Sequence, residues 1–255
     1  VAEEVHEQVE KRFLETGEPR DLTIISAAGI GDGKGASKGL NHYAHEGMIK
    51  RLIGGHLGLV PRLAPLVNEN KIEAYNLPQG IISQMIRAGG AHHPRLISHV
   101  GLGTYVDPDL GGGRLNDVTK EEIVEKVYFD GKPYLAYKVP RIDVAIIKAS
   151  TADEDGNISY ENEPLTINGL SFAINAKNNG GKVIVQVEKV VKRGTIPPKE
   201  VKIPGVFVDA IVVAQNKENH RHTFSTQFNE RFITNHIVSE FEEVHLPMTE
   251  RKIIA

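Results

Sequence analysis

Residues 74–103 read AYNLPQGIISQMIRAGGAHHPRLISHVGLG, and the fold follows from how this stretch divides. The apolar run Ile72–Leu77 has strand character and stops at Pro78-Gln79-Gly80. Ile81–Ala88 then carries the apolar residues of a helix. A second apolar run, Leu96–Val100, ends in Gly101-Leu102-Gly103-Thr104. Two strand ends, each followed by glycine, are what an α/β protein needs to build a site at the edge of its sheet.

Working outward, the pattern repeats. Residues 1–15 have apolar side chains at Val1, Val5, Val9 and Phe13, one face of a helix closed by Gly17 and Pro19. Leu22–Ser26 is a short buried strand. The glycine-rich run Ala27–Gly39 follows, and its Gly29-x-Gly31-x-Gly33 lacks the final spacing of a dinucleotide fingerprint. It is either a plain mobile loop or a backbone lining for a bound substrate. Glu46–Leu52 is predicted helical, as is Pro61–Asn70 from near Arg62. Asp130-Gly131 between Val124–Phe129 and Tyr134–Val139 is a hairpin signal. Val144–Ala149, Lys182–Val190 and Ala210–Ala214 read as buried strands, with Val183, Val185 and Val187 on one face. Asn168–Asn178 is the helix between the first two of these. Gln215–Thr226 is polar and reads as mobile; beyond it, Phe232, Val244 and Leu246 are candidate anchors. Strands alternating with helices, and apolar on both faces where longest, predict an α/β fold with a mainly parallel sheet covered by helices on both faces.

Composition bounds the function. A formal net charge of −3 argues against a nucleic-acid surface. The absence of cysteine rules out thiol chemistry and fits a cytoplasmic protein. No apolar run approaches the roughly 20 residues that span a bilayer, so no membrane partner is expected. Val1 is no initiator and the chain stops abruptly at ERKIIA, which predicts a fragment or a processed subunit.

No nucleophile elbow, phosphate-binding loop or zinc motif appears. His56, among glycines, reads as a packing residue rather than a general base. His92-His93 and His220-Arg221-His222 have no further ligand at helical spacing, so no metal site is expected. Glu161 and Glu163 would point to one side of an extended backbone. They read either as an acid–base pair or, more plainly, as a solvated edge. Glycine-rich strand ends without a nucleophile are the composition of a binding half, whose backbone N–H groups can hold a carboxylate or an oxyanion.

Five stretches, in order, carry a resemblance over nearly the whole chain: PRDLTIISAAGIGD (19–32), IEAYNLPQGIISQMIRAGGAHHPRLISHVGLGTYVDP (72–108), GGGRLND (111–117), ADEDGNISYENEP (152–164), and VIVQVEKVV with the following PP, V and IPGVFVD (183–209). The chain resembles the N-terminal, or α, half of a family I CoA transferase, of the fused acetate/propionate/3-oxoacid type. The resemblance implies a ping-pong transfer of CoA between an acyl-CoA and a free carboxylate. A glutamate attacks the thioester and becomes a glutamyl-CoA thioester. In the family that glutamate lies in a Glu-(Ser/Thr)-Gly-x-x-Gly motif of the β half, which this sequence lacks, so no catalytic residue is expected in residues 1–255. CoA enters as a substrate and no cofactor is implied. The implied partners are the β half and further copies in an oligomer.

By match to the family's segments, Gln79 and Gly80 would approach the acyl group. Gly101, Gly103 and Thr104 would allow close backbone approach at the next strand end, and Gly29 and Gly31 would line the same pocket. Glu163 falls in a substrate-loop segment where the family more commonly has Asn-Phe-Asn. The alternatives are a non-catalytic small-molecule sensor on the same fold, or a subunit of a CoA hydrolase or lyase.

Overall fold

A computed structural model describes residues 1–233, so the expected anchors Val244 and Leu246 lie outside the described residues. In chain order the elements are α1 (Glu3–Thr16), β1 (Leu22–Ser26), β2 (Ile49–Gly54), α2 (Ala64–Asn68), β3 (Glu73–Asn76), α3 (Gln79–Gly90), β4 (Arg95–Ser98), β5 (Val124–Phe129), β6 (Lys132–Lys138), β7 (Val144–Lys148), β8 (Thr151–Asp153), β9 (Ile158–Ser159), α4 (Gly169–Asn178), β10 (Lys182–Val187), β11 (Lys189–Val191) and β12 (Ala210–Val213).

Strand alternation explains how the first sheet is covered. The strands β1, β2 and β3 pair in parallel, with Ile24 opposite Leu52 and Leu52 opposite Ala74. That row packs on one side with Phe13 of α1 and Val67 of α2. The next row, Ile25, Ile53 and Tyr75, packs on the other side against Ile81, Ile82, Met85 and Ile86 of α3. Helices therefore cover both faces. Each aliphatic side chain so buried contributes about 1.5–3 kcal/mol.

This corrects the helix expected over Glu46–Leu52: Ile49–Gly54 is the central strand β2. Met48, Ile49, Leu52 and Ile53 mimic a helical stripe, but they are buried because a central strand has no solvent face.

A second parallel sheet has the order β12-β10-β7. Val183, Val185 and Val187 are fully buried in it, as the alternation predicts. The run expected as one strand over Lys182–Val190 divides at Glu188. Its N–H donates to Ser150 O at 2.9 Å, and the β7–β10 pair re-forms beyond the bend as β8–β11. The Asp130-Gly131 hairpin forms as predicted, with φ of 50° and 73° at its two turn residues, and β6 also pairs antiparallel with β4. The parallel pairing is thus spread over separate three-stranded sheets rather than one.

The helices α3 and α4 join the two parallel sheets. Asn168 Nδ2 donates to Ser83 Oγ at 2.7 Å, Asn175 Nδ2 to Ile86 O at 2.9 Å, and Asn178 Nδ2 to Gly90 O at 2.6 Å. The partners advance together along both helices, so the two run parallel. Each follows a strand end, and their N-termini open at the same edge of the molecule.

The helix α1 is held by a cluster of acidic and basic side chains. His42 bridges Glu3, at 2.8 Å, and Glu10, which also pairs with His45 at 2.6 Å and Arg62 at 3.5 Å. Burial would push the His42 imidazole down, but the hydrogen bonds to Glu3 and Glu10 outweigh it and raise it. The stability this histidine adds is present below its ordinary value of 6.5 and is lost as pH rises through its raised value. His6, pushed down to about 4 by burial, opposes this below pH 6.5, but it is common to both proteins in a comparison of variants. We expect His42→Gln to cost about 1.5–3 kcal/mol at pH 6 and clearly less at pH 9. Denaturant midpoints of both proteins at the two pH values measure it. A cost independent of pH contradicts the assignment.

Candidate active site at the strand ends

The carboxyl ends of β1, β2 and β3 lead into three loops packed backbone to backbone. Gly55 is wedged between two of them: a β-carbon there would meet Ala27 O at 2.3 Å and Gln79 Cα at 3.1 Å. Only glycine fits between the loop after β1 and the start of α3. Gly29 and Gly31 belong to the same stack and are buried. The space beside their α-carbons is filled by His56 O at 2.5 Å and Leu59 O at 2.1 Å. These two glycines bring loop against loop. His56 itself is exposed.

Gln79 and Gly80 form the exposed first turn of α3. Pro78 stands at the N-cap, no side chain caps the turn, and no acidic residue occupies it. The first N–H groups of a helix have no intrahelical acceptor and carry the positive end of its dipole. A β-carbon on Gly80 would meet nothing within 4 Å, so packing within this chain does not demand glycine there.

Gly101, Gly103 and Thr104 lie in a loop folded over the end of β3. A β-carbon on Gly101 would stand 2.5 Å from the Tyr137 hydroxyl, and its φ is 101°. Gly103 is open, with its N–H donating to Asp107 Oδ2 at 2.9 Å. The Thr104 hydroxyl turns back to Gly101 O at 2.7 Å. Asp107 also accepts from Asp109 N and pairs with Lys126 at 2.8 Å. Its carboxyl is held low by the Gly103 N–H first and by Lys126 next. The loop is tied to the sheet by Asn76 N–H to Gly113 O at 2.8 Å and by the Tyr105 hydroxyl to Asn76 Oδ1. The strand ends thus gather Gly29, Gly31, Gln79 and Gly80, and the loop bearing Gly101, Gly103 and Thr104 is bound to them through Asn76.

Glu163 belongs to the second edge, at the ends of β7 and β10. The structure corrects the picture of a solvated acidic pair. Glu161 accepts from Ser159 at 2.6 Å and from Thr151, whereas Glu163 pairs with Lys148 and lies 3.4 Å from His220 Nε2. The side chains of Glu163, Lys148 and His220 are 9%, 5% and 3% exposed. Burial alone would raise the Glu163 carboxyl, but His220 and Lys148 together hold it below its ordinary value. His220 was expected in a mobile polar segment. It is instead buried with Asn219 against Gln186, whose Nε2 donates to Asn219 O at 2.7 Å and approaches His220 Nδ1 at 3.2 Å. Phe232, half-exposed, lies with its ring centroid 6.1 Å from that of His222.

Sequence reasoning missed Asn76, Asp107 and Lys148. The signal for Asn76 was present, since a polar residue ends an apolar strand immediately before Leu-Pro-Gln-Gly. Among the described residues, no group of three or more His, Asp or Glu is placed to hold a metal ion, and no helix is long and apolar enough to cross a membrane.

Residues 11–214 match the coenzyme A transferase family. The chain belongs to that family. It is 41% identical over 96% of its length to the acetate CoA-transferase YdiF of Escherichia coli O157:H7, covering 45% of that protein. It is also 41% identical over 99% of its length to the caffeate CoA-transferase of Acetobacterium woodii, covering 48%. It aligns with 83% of the acetate CoA-transferase alpha subunit of Escherichia coli K12 at 27% identity, which identifies the stretch as an α-type half. The crystal structure of the YdiF apoenzyme superposes with a TM-score of 0.89 at 39% identity, covering 99% of this chain and 47% of that one. The chain thus spans about half the length of the curated relatives it matches. The α/β fold expected from the alternation of strands and helices is the fold found.

Proposed function

We propose that residues 1–255 are the acyl-side half of a CoA transferase that moves CoA between an acyl-CoA and a free carboxylic acid. The observation that carries this reading is the open first turn of α3, with Gln79 and Gly80 exposed beside a glycine-packed strand edge in a chain of this family. Gln79 would donate its amide N–H to the acyl carbonyl or carboxylate oxygen without adding charge. The helix N-terminus would favour the negative charge that develops there. Gly80, Gly103 and Thr104 would leave room for the substrate. The attacking carboxylate would come from the β half, forming first an acyl-glutamyl anhydride with release of CoA thiolate. The thiolate would then displace the acyl carboxylate to leave a glutamyl-CoA thioester. Two relatives equally identical to this chain are named for acetate and for caffeate, so overall identity does not choose the acyl group. The working form would be an oligomer of complete chains in the cytoplasm.

The test is thioester loss from acyl-CoA by the chain completed with its β half. Loss that requires a free carboxylate supports a transferase; loss without one would make the protein a hydrolase. In that complete enzyme Gln79→Ala is expected to lower kcat/KM by about 1–3 kcal/mol in transition-state stabilisation. Its melting temperature should stay near wild type, because the side chain is exposed. An unchanged kcat/KM rejects Gln79 as a substrate contact.

A further inference from the structure

Asn76 is the last residue of β3, three positions before Gln79. Its polar groups go to different segments. The backbone N–H donates to Gly113 O at 2.8 Å, Nδ2 donates to Gly54 O at 3.1 Å, and Oδ1 accepts from the Tyr105 hydroxyl. Gly54 precedes Gly55, the glycine wedged between Ala27 and Gln79. Tyr105 adjoins Thr104, and its carbonyl accepts from Gly113 N–H at 3.0 Å, so both ends of the 105–113 stretch are tied to Asn76, while Lys126 holds the loop's Asp107 from β5. The Asn76 amide must be donor and acceptor at once. Aspartate would set a carboxylate against the Gly54 carbonyl, and serine lacks the reach. The Tyr105 ring is 52% exposed, so packing accounts for little of its placement.

We infer that Asn76, clamped by the Tyr105 hydroxyl, is a positioning residue that sets the first turn of α3 against the Gly101–Thr104 turn, fixing the distance across the acyl site. The inference rests on the reading of Gln79 given under Proposed function. Small displacements of a positioned group are costly to rate because the reacting atoms must be held near van der Waals contact.

The experiment uses the complete enzyme, α and β halves together, with acetyl-CoA and a free carboxylate. Tyr105→Phe is compared in the wild-type and Gln79→Ala backgrounds, reading kcat, KM and melting temperature. Tyr105→Phe should lower kcat about tenfold with KM and melting temperature nearly unchanged, and should cost less than twofold once Gln79 is alanine. Asn76→Asp, which keeps the acceptor for Tyr105 but loses the donor to Gly54, should lower kcat in the same way. A Tyr105→Phe enzyme within twofold of wild type, or one whose loss is equal in both backgrounds, overturns the inference. So does a loss that only tracks a fall in melting temperature. A silent Gln79→Ala rejects the reading of Gln79 itself. An impaired Gln79→Ala beside an unimpaired Tyr105→Phe rejects only the role of Asn76.

Discussion

Glu163→Ala should destabilise the protein by about 3–5 kcal/mol, the cost of removing one partner from a buried ion pair. The geometry puts it at the high end of single substitutions. Lys148 is the cation paired with Glu163, His220 lies beside them, and neither reaches solvent freely. With the carboxylate gone, Lys148 must either stay charged without its counter-ion or release its proton. For a chain of this length the loss corresponds to a fall in melting temperature of roughly 6–20 °C. Replacing both partners by apolar residues, as in Lys148→Met with Glu163→Leu, should cost far less than either single change, because the pair's attraction largely offsets its own desolvation. The pH dependence has a definite sign. The folded-state carboxyl of Glu163 is lowered, so its contribution is full above its ordinary value of 4.5 and fades as pH falls through the lowered value. Thermal melts at pH 7 and pH 4 check both points. If Glu163→Ala melts with wild type but loses activity, Glu163 serves the substrate; a large loss of stability assigns it to holding the second strand edge together.

The contrast between Gln79 and Glu163 shows what the sequence made legible. Gln79 could be placed because its setting is local. A strand, Pro-Gln-Gly and a helical stripe follow one another within a few residues, and local order alone puts Gln79 at a helix start. The partners of Glu163 come from β7 and from the segment after β12, and no periodicity announces a pairing between distant segments. The same reason explains Asn219 and His220, which are buried within an otherwise exposed or half-buried polar run because Gln186 of β10 and Glu7 of α1 receive them. The strand β2 was misread for a different cause. A strand buried on both faces has no alternation, so its apolar residues fall as readily on a helical stripe as on a strand. The division at Glu188 was invisible because the β-rich pattern continues through the bend while the hydrogen-bond partners change from β7 to β8. Local rules therefore sufficed for the hairpin at Asp130-Gly131 and for α3. Assembling the edge needed the tertiary contacts of Asn76 and Asp107.

Gly89→Ala should be destabilising by about 1–5 kcal/mol, against the usual benefit of alanine in a helix. Glycine costs about 1 kcal/mol relative to alanine inside a helix, so propensity alone predicts a more stable protein. Contact decides otherwise. A β-carbon on Gly89 would stand 2.1 Å from Asn175 Nδ2, and one on Gly90 would stand 2.9 Å from Ile174 Cγ2. Asn175 has nowhere to retreat: it is fully buried, donates to Ile86 O at 2.9 Å and accepts from Asn179 Nδ2 at 2.9 Å. Forcing a methyl into such a contact costs about 1–3 kcal/mol in overpacking. Turning the amide aside leaves it unpaired for about 1–3 kcal/mol more. Together these exceed the propensity gain. The decisive comparison is a double-mutant cycle with Asn175→Ala, which removes the colliding amide. The two changes should be coupled by about 0.5–3 kcal/mol, with the double mutant more stable than additivity allows. Should Gly89→Ala instead stabilise by the helix-propensity amount, α3 and α4 are not in the close parallel contact that brings their N-termini to one edge. The joining of the first strand edge to the second would then have to come from elsewhere in the fold.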